Sequence, residues 1–182
     1  MIWGGVYAAL LVALFVRVHT TAEPPRNSTF PSAEEPLGLV RLHHRLFAAI
    51  LVGSPLEAAL LGGRPEGRAV GAAIFGLGVL MYRAGGGHLG NSLSPFVLPK
   101  SDGTLVTGGL YRWVRHPMFL GQALIAAGAP LCLGARWIAL LVVPAWAVLV
   151  VRAHREEKAL LQRYSAYEEY TSRTRRFVPF LY

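Results

Sequence analysis

The apolar and polar positions of this chain fall into long blocks. Five apolar runs stand out: Ile2 to Val18, Leu37 to Leu61, Ala69 to Tyr82, Phe119 to Leu133 and Trp137 to Val151. A helix of about 20 apolar residues crosses a bilayer, and the first run reaches across if its ends snorkel. It is read as a retained helix. Thr20-Thr21-Ala22 resembles a signal-peptide cleavage site, but no positive charge precedes the run. Glu23 to Pro36, rich in Pro, Ser, Glu and Asn, reads as a loop. Pro55 is expected to kink the second helix, and Gly71, Gly76 and Gly78 to let the third approach its neighbours closely. The last two runs flank Gly134-Ala135-Arg136 and predict an antiparallel helical hairpin. Beyond Val151, Arg152 to Tyr170 reads as an amphipathic helix leaving the membrane, and Thr171 to Tyr182 as a basic tail. The expectation is an all-α integral-membrane bundle of about five transmembrane helices. Residues 1–90 would be N-terminal spans, and residues 91–182 a core whose connector and C-terminal helix form a pocket.

Composition agrees with this reading. The 182 residues are 53% hydrophobic and 15% charged, with a mean hydropathy of +0.41, a balance that fits a membrane bundle and not a soluble domain. The formal charge of +8 does not indicate nucleic acid, because the basic residues flank apolar segments; anionic headgroups and the positive-inside rule account for them. Arg83, Lys100, Arg112 and Arg115 lie in the central connector, and Arg152, Arg155, Lys158, Arg163, Arg173, Arg175 and Arg176 follow the last span, against Arg64, Arg68 and Arg136 in the other turns. That asymmetry places the connector and the C-terminus together on the cytoplasmic side.

The single cysteine, Cys132, excludes an internal disulfide or a cysteine-rich metal site and reads as a packing residue. His43 and His44 are adjacent, so on a helix they diverge by about 100° and read as interfacial residues, not metal ligands. Glu57 faces either the bundle interior or the outer interface. Gly85 to Gly90 fits GxGxxG formally, but it follows a membrane helix and no βαβ unit surrounds it, so a hinge or helix end is the better reading.

The chemistry concentrates between Gly103 and Gly121, a polar, glycine-punctuated and aromatic stretch between apolar runs. Gly103, Gly108 and Gly109 permit positive φ and close backbone approach. Tyr111, Trp113 and Phe119 offer rings to an aromatic or cationic group. His116, before Pro117, is kept out of the α region, so a bend there precedes a helix with proline in its first turn. Folded against the Arg and Glu residues after Val151, this stretch would make a pocket. On residue chemistry alone, a membrane-interface belt of Tyr, Trp and Arg explains it equally well.

The order of residues resembles a known family. Leu105-Val106-Thr107-x-Gly109-x-Tyr111-x-x-x-Arg115-His116-Pro117-x-Phe119-x-Gly121, then Arg152, Glu156-Glu157, Leu160, Tyr164, Tyr167, Tyr170 and Pro179, is similar to the signature of the integral-membrane isoprenylcysteine carboxyl methyltransferases and their phospholipid methyltransferase relatives. The resemblance implies S-adenosylmethionine as cofactor, held by Gly103, Thr104, Leu105, Val106, Tyr111, His116, Pro117, Met118, Phe119 and Glu156. It implies Arg152 at the polar end of a lipid or prenylated acceptor, and Arg152 with Glu156 as catalytic residues. There are two departures. Phe119 stands where the family usually has tyrosine, and the segment from Glu157 to Tyr167 is one residue short.

A carboxylate acceptor has no proton to lose, whereas an amine acceptor needs a base, for which His116 or Glu157 would have to serve. Carboxyl O-methylation is therefore the leading expectation, with phospholipid amine N-methylation as the alternative. Membrane sterol-type reductases share the Arg-His-Pro turn but usually carry Asn after the proline, where this chain has Met118. A non-catalytic membrane carrier is a further alternative. Short loops and abundant Ala, Gly, Arg and Val point to a bacterial inner membrane, and no metal is expected.

Overall fold

The computed structural model describes residues 37–63, 66–93 and 103–177. The expected first span, the loop after it, the proline-containing stretch before Gly103 and the final residues, Pro179 included, lie outside the described residues. Among the described residues six α-helices follow in order: α1 (Leu37–Leu61), α2 (Arg68–Leu89), α3 (Pro117–Leu133), the short α4 (Arg136–Ala139), α5 (Val142–Arg163) and α6 (Tyr167–Arg173). A 3-10 turn, Gly90–Ser92, extends α2, and another, Gly109–Arg112, precedes α3. Among the described residues three segments are long and apolar enough to cross a membrane, Gly38–Leu61, Arg68–Ser92 and Arg136–Arg163, and α3 is a shorter apolar helix. The protein is an all-α integral-membrane bundle. Its outward side chains are apolar too: Leu60, Leu80 and Val143 are 72%, 67% and 75% exposed, as expected where lipid is the solvent.

The α2–α3 contact is set by glycine. The two helices run antiparallel, and a Cβ on Gly121 would lie 2.7 Å from the Tyr82 nitrogen, one on Gly78 2.7 Å from the Gly121 carbonyl, and one on Gly71 against the Cys132 backbone. Small residues let backbones meet, and packing then replaces the missing hydrophobic drive between membrane helices. Gly76, by contrast, has nothing near it. α2 also continues through Gly85, Gly86 and Gly87 to Leu89, turning off at Gly90 with φ 49°. The glycine triplet is therefore inside the helix, and Gly85 rests on the Met118 side chain.

α1 continues through Pro55, where the neighbouring Ser54 hydroxyl donates to the Ile50 carbonyl at 2.6 Å. Phe47, Ile50 and Leu51 of α1 join Ile125, Ala126 and Ala129 of α3 and Ala145 of α5 in the core. His43 is buried, with its ring stacked on Phe47 at 5.9 Å. Glu57, half-exposed in the last turns of α1, caps the next helix: its two oxygens accept the backbone N–H groups of Trp137 and Ile138 at 3.0 and 2.8 Å, satisfying the open amides that begin α4. Since Glu57 meets the residues just after α3, α1 and α3 run parallel.

The hairpin turn is as expected, with Gly134 left-handed at φ 69°, but its second arm breaks between α4 and α5. The amphipathic stretch from Arg152 to Tyr170 is likewise not one helix. α5 carries it to Arg163, and the chain leaves helical geometry at Tyr164 before α6 begins.

Candidate active site

His116 sits at φ −125°, ψ 58°, with Pro117 opening α3, which is the bend that a residue before proline favours. The bend meets the C-terminal segment directly. The backbone N–H groups of Arg115 and His116 donate to the carbonyls of Arg175 and Arg176 at 2.7 and 3.1 Å, and Val114 and Arg175 form a parallel bridge. Tyr170, on α6, donates its hydroxyl to the Tyr111 carbonyl at 2.6 Å, and Tyr164 donates to the Gly103 carbonyl at 2.7 Å. The connector is thus tied down by hydroxyls from the far end of the chain.

Glu157 is the hub. It is buried, and its Oε1 accepts Arg115 Nε–H at 2.8 Å. Its Oε2 accepts Arg176 Nη2–H at 2.6 Å, and Arg176 Nε–H lies 3.1 and 3.2 Å from the two oxygens. Oε1 also meets His116 Nε2 at 3.3 Å. An ionised carboxylate only accepts, so that nitrogen carries the ring proton. Arg115 spends its remaining reach on the carbonyls of Thr171 and Thr174, at 3.2 and 2.6 Å. Arg176 also donates to His154 Nε2 at 2.9 Å. With two guanidiniums on its oxygens, Glu157 is a structural anion and not a base awaiting a proton. Sequence reasoning singled out neither Arg176 nor this role for Arg115. The Arg-His-Pro order marked Arg115, but Arg176 looks like any other basic residue of the tail.

Around this hub the structure gathers most of the expected site. Glu156 Oε2 lies 3.9 Å from His116 Nδ1, and the Glu156 side chain is one-third exposed. The His116 ring stacks on Phe119 at 5.3 Å, nearly parallel, and Phe177 leans on it from the tail. The buried Arg152 guanidinium lies over the other ring of that stack, 5.2 Å from the Phe119 centroid. Tyr111 is buried beside them, and burial, reinforced by the Glu156 carboxylate, pushes its phenol well above the ordinary range. Burial and the Glu157 and Glu156 carboxylates do the same to Tyr167, and burial raises Tyr170 to about 12 despite the opposing Arg115 cation. All three phenols remain protonated donors at neutral pH.

Three expected residues sit differently. Thr104 is exposed, its backbone N–H on the Ser92 hydroxyl at 3.1 Å, which ties the connector to the end of α2. The Met118 side chain packs on Gly85 and Gly86 of α2, leaving only its backbone for the site. Trp113 is 51% exposed beneath the Arg112 guanidinium, outside the aromatic cluster. Leu105 and Val106 are half-buried along the same connector and Pro117 is buried. Of the three glycines, only Gly109 adopts positive φ, 62°, and a Cβ there would collide with the His88 imidazole. Among the described residues, no group of three metal-ligating side chains occurs.

The sequence profile of the isoprenylcysteine carboxyl methyltransferase (ICMT) family matches residues 71–162, from early α2 to the last turn of α5. Over 96 residues the chain is 35% identical to the protein-S-isoprenylcysteine O-methyltransferase of Saccharomyces cerevisiae (strain ATCC 204508 / S288c), covering 50% of this chain and 40% of the yeast protein. The matched region contains the glycine-packed helix pair, the His116-Pro117 bend and the Arg152-Glu156-Glu157 face of α5. By that match over half its length, this chain belongs to the isoprenylcysteine carboxyl methyltransferase family.

Proposed function

We propose that the chain is an integral-membrane, S-adenosylmethionine-dependent methyltransferase that methylates the carboxyl group of a lipid or isoprenyl-linked acceptor. The observation that carries this reading is the placement of two opposite charges on one face of α5. Glu156 lies beside His116, and Arg152 lies one turn away over Phe119.

The residues fit the cofactor chemically. A cation such as a sulfonium is favoured by a partly exposed carboxylate, which Glu156 supplies. The Tyr167 hydroxyl nearby is buried with no hydrogen-bond partner among the described residues, an orphaned donor at the edge of the same acidic corner. Glu156, Tyr111, His116, Phe119 and the backbone of Gly103, Thr104, Leu105, Val106, Pro117 and Met118 would hold the group. When bound, S-adenosylmethionine supplies an electrophilic methyl.

Arg152 orients the acceptor. A buried guanidinium holds a carboxylate through paired N–H donors, and the surrounding apolar helices keep water from the reacting oxygen. A carboxylate needs no base, and Glu157, already held by Arg115 and Arg176, is poorly placed to be one. That favours a carboxyl over an amine acceptor. The clustering of Lys and Arg at this end of the bundle supports a cytoplasmic site, with the acceptor's tail in the bilayer.

The test is incubation of the purified protein with membrane lipids and methyl-labelled S-adenosylmethionine. Base-labile label in a lipid product is expected, and base-stable label would point to nitrogen or carbon instead. Glu156→Ala should abolish cofactor binding, while Arg152→Ala should chiefly impair acceptor use. Unchanged turnover in both variants would refute the assignment.

A further inference from the structure

The stretch from Gly85 to Gly90 carries a residue that the proposed chemistry leaves idle. Gly85, His88 and Ser92 recur at the spacing that shares one helical face, and each meets the connector or the start of α3. Gly85 rests on the Met118 side chain, His88 lies against Gly109, and the Ser92 hydroxyl accepts the Thr104 N–H at 3.1 Å. Partner numbers fall as α2 numbers rise, so the connector returns along the end of α2.

His88 is the fixed member of this set. Its Nδ1 lies 2.6 Å from the Ala84 carbonyl, one turn back. A carbonyl only accepts, so Nδ1 carries a proton, and that bond anchors the ring on its own helix. The opposite edge of the ring, Cδ2 and Nε2, fills the space into which a Cβ on Gly109 would project. Gly109 is also left-handed at φ 62°, which residues with a Cβ disfavour. From Gly109 the 3-10 turn leads straight to the buried Tyr111, whose N–H donates to the Gly108 carbonyl at 3.1 Å and whose carbonyl receives the Tyr170 hydroxyl at 2.6 Å. Tyr170 therefore holds one side of this turn and His88 the other. Because α2 is itself locked to α3 through Gly78 and Gly121, His88 refers Tyr111 to the same frame that carries Pro117.

We infer that His88 is a positioning residue for the cofactor: its anchored ring sets where the Gly109 turn rests on α2 and so presents Tyr111 already in place. This deepens the proposed function and rests on its placing Tyr111 against S-adenosylmethionine. His88 acts only through Gly109. Without the ring, the turn has to be ordered as the cofactor binds, which costs up to about tenfold in affinity. Once the cofactor is bound the geometry is the same, so the rate at saturation is kept.

The test is calorimetric titration with S-adenosylmethionine, paired with transfer of its labelled methyl to membrane lipids. His88→Ala should raise Kd and KM for the cofactor by about tenfold and leave the maximal transfer rate within about twofold. A purely structural role would instead lower the maximal rate with KM unchanged, because fewer molecules would be folded. His88→Ser repeats the test if the alanine variant folds poorly. Gly87→Ala, whose methyl meets nothing within 4 Å on the neighbouring position, should bind as the wild type does. Gly109→Ala should weaken binding further, and that penalty should shrink once His88→Ala has made room for the methyl. Unchanged affinity in His88→Ala, or an equal Gly109→Ala penalty in both backgrounds, overturns the inference while leaving the methyltransferase reading standing. A wild-type protein that binds no S-adenosylmethionine sinks that reading, and the inference with it.

Discussion

Replacing Glu157 with glutamine is the most informative single change, because it removes charge while nearly preserving shape. Glu157 is 7% exposed, with Arg115 Nε at 2.8 Å and Arg176 Nη2 at 2.6 Å. Taking one partner from a buried ion pair costs about 3–5 kcal/mol, because the remaining charges stay desolvated. The amide oxygen of glutamine restores a neutral hydrogen bond of about 1 kcal/mol. A net loss of about 3 kcal/mol should therefore fall on the docking of the C-terminal segment, and at 1.4 kcal/mol per decade that is about a hundredfold in its opening equilibrium. Hydrogen exchange in detergent reads this directly at the Arg115 and His116 amides, which donate to the Arg175 and Arg176 carbonyls. Their protection should fall by that factor while the α2–α3 amides keep theirs. Glu156→Gln is the control, since Glu156 is one-third exposed and only within 3.9 Å of His116. Wild-type protection in Glu157→Gln, or an equal loss in Glu156→Gln, would show that the clamp does not hold the segment.

Two further measurements bear on the frame. Gly121→Ala should destabilise by about 1–3 kcal/mol, as overpacking does, because its methyl would press on the Tyr82 backbone. Gly76→Ala, with open space around it, should be neutral or stabilising by up to about 1 kcal/mol; similar shifts in thermal unfolding would contradict the close packing. The Tyr170 phenol is raised from 10.0 to about 12, so the stability it contributes is complete below pH 10 and is lost as pH rises through 12. Tyr170→Phe should start less stable by about 1 kcal/mol and show a flatter alkaline decline, and an unchanged alkaline limb would exclude Tyr170 as a contributor.

Features that depend on neighbouring residues were legible in the sequence. The apolar runs among the described residues found their helices, the last of them broken between α4 and α5, and the restriction that Pro117 places on His116 predicted the bend that now faces Glu156. What escaped notice depends on contacts between distant parts of the chain. Nothing near Arg115 announces that it will meet a carboxylate 42 residues later, or that Arg176 will close on the same oxygens from the other side. Glu57 was undecided because the amides it caps lie 80 residues away. The Gly85 to Gly90 stretch read as a hinge or helix end, and α2 does end there, turning off at Gly90; the triplet before it stays helical, with Gly85 packed on Met118.

The pairing of Val114 with Arg175 has a consequence for how the protein is made. Every described span precedes α6, so insertion into the membrane can be finished while the residues that fasten the Arg115-His116 bend are still inside the ribosome. A product cut short before Thr174 would thread the bilayer normally yet lack both Arg176 and the carbonyls that seat the bend. Competence for chemistry would then follow residence in the lipid, once residues 174–176 have emerged and docked.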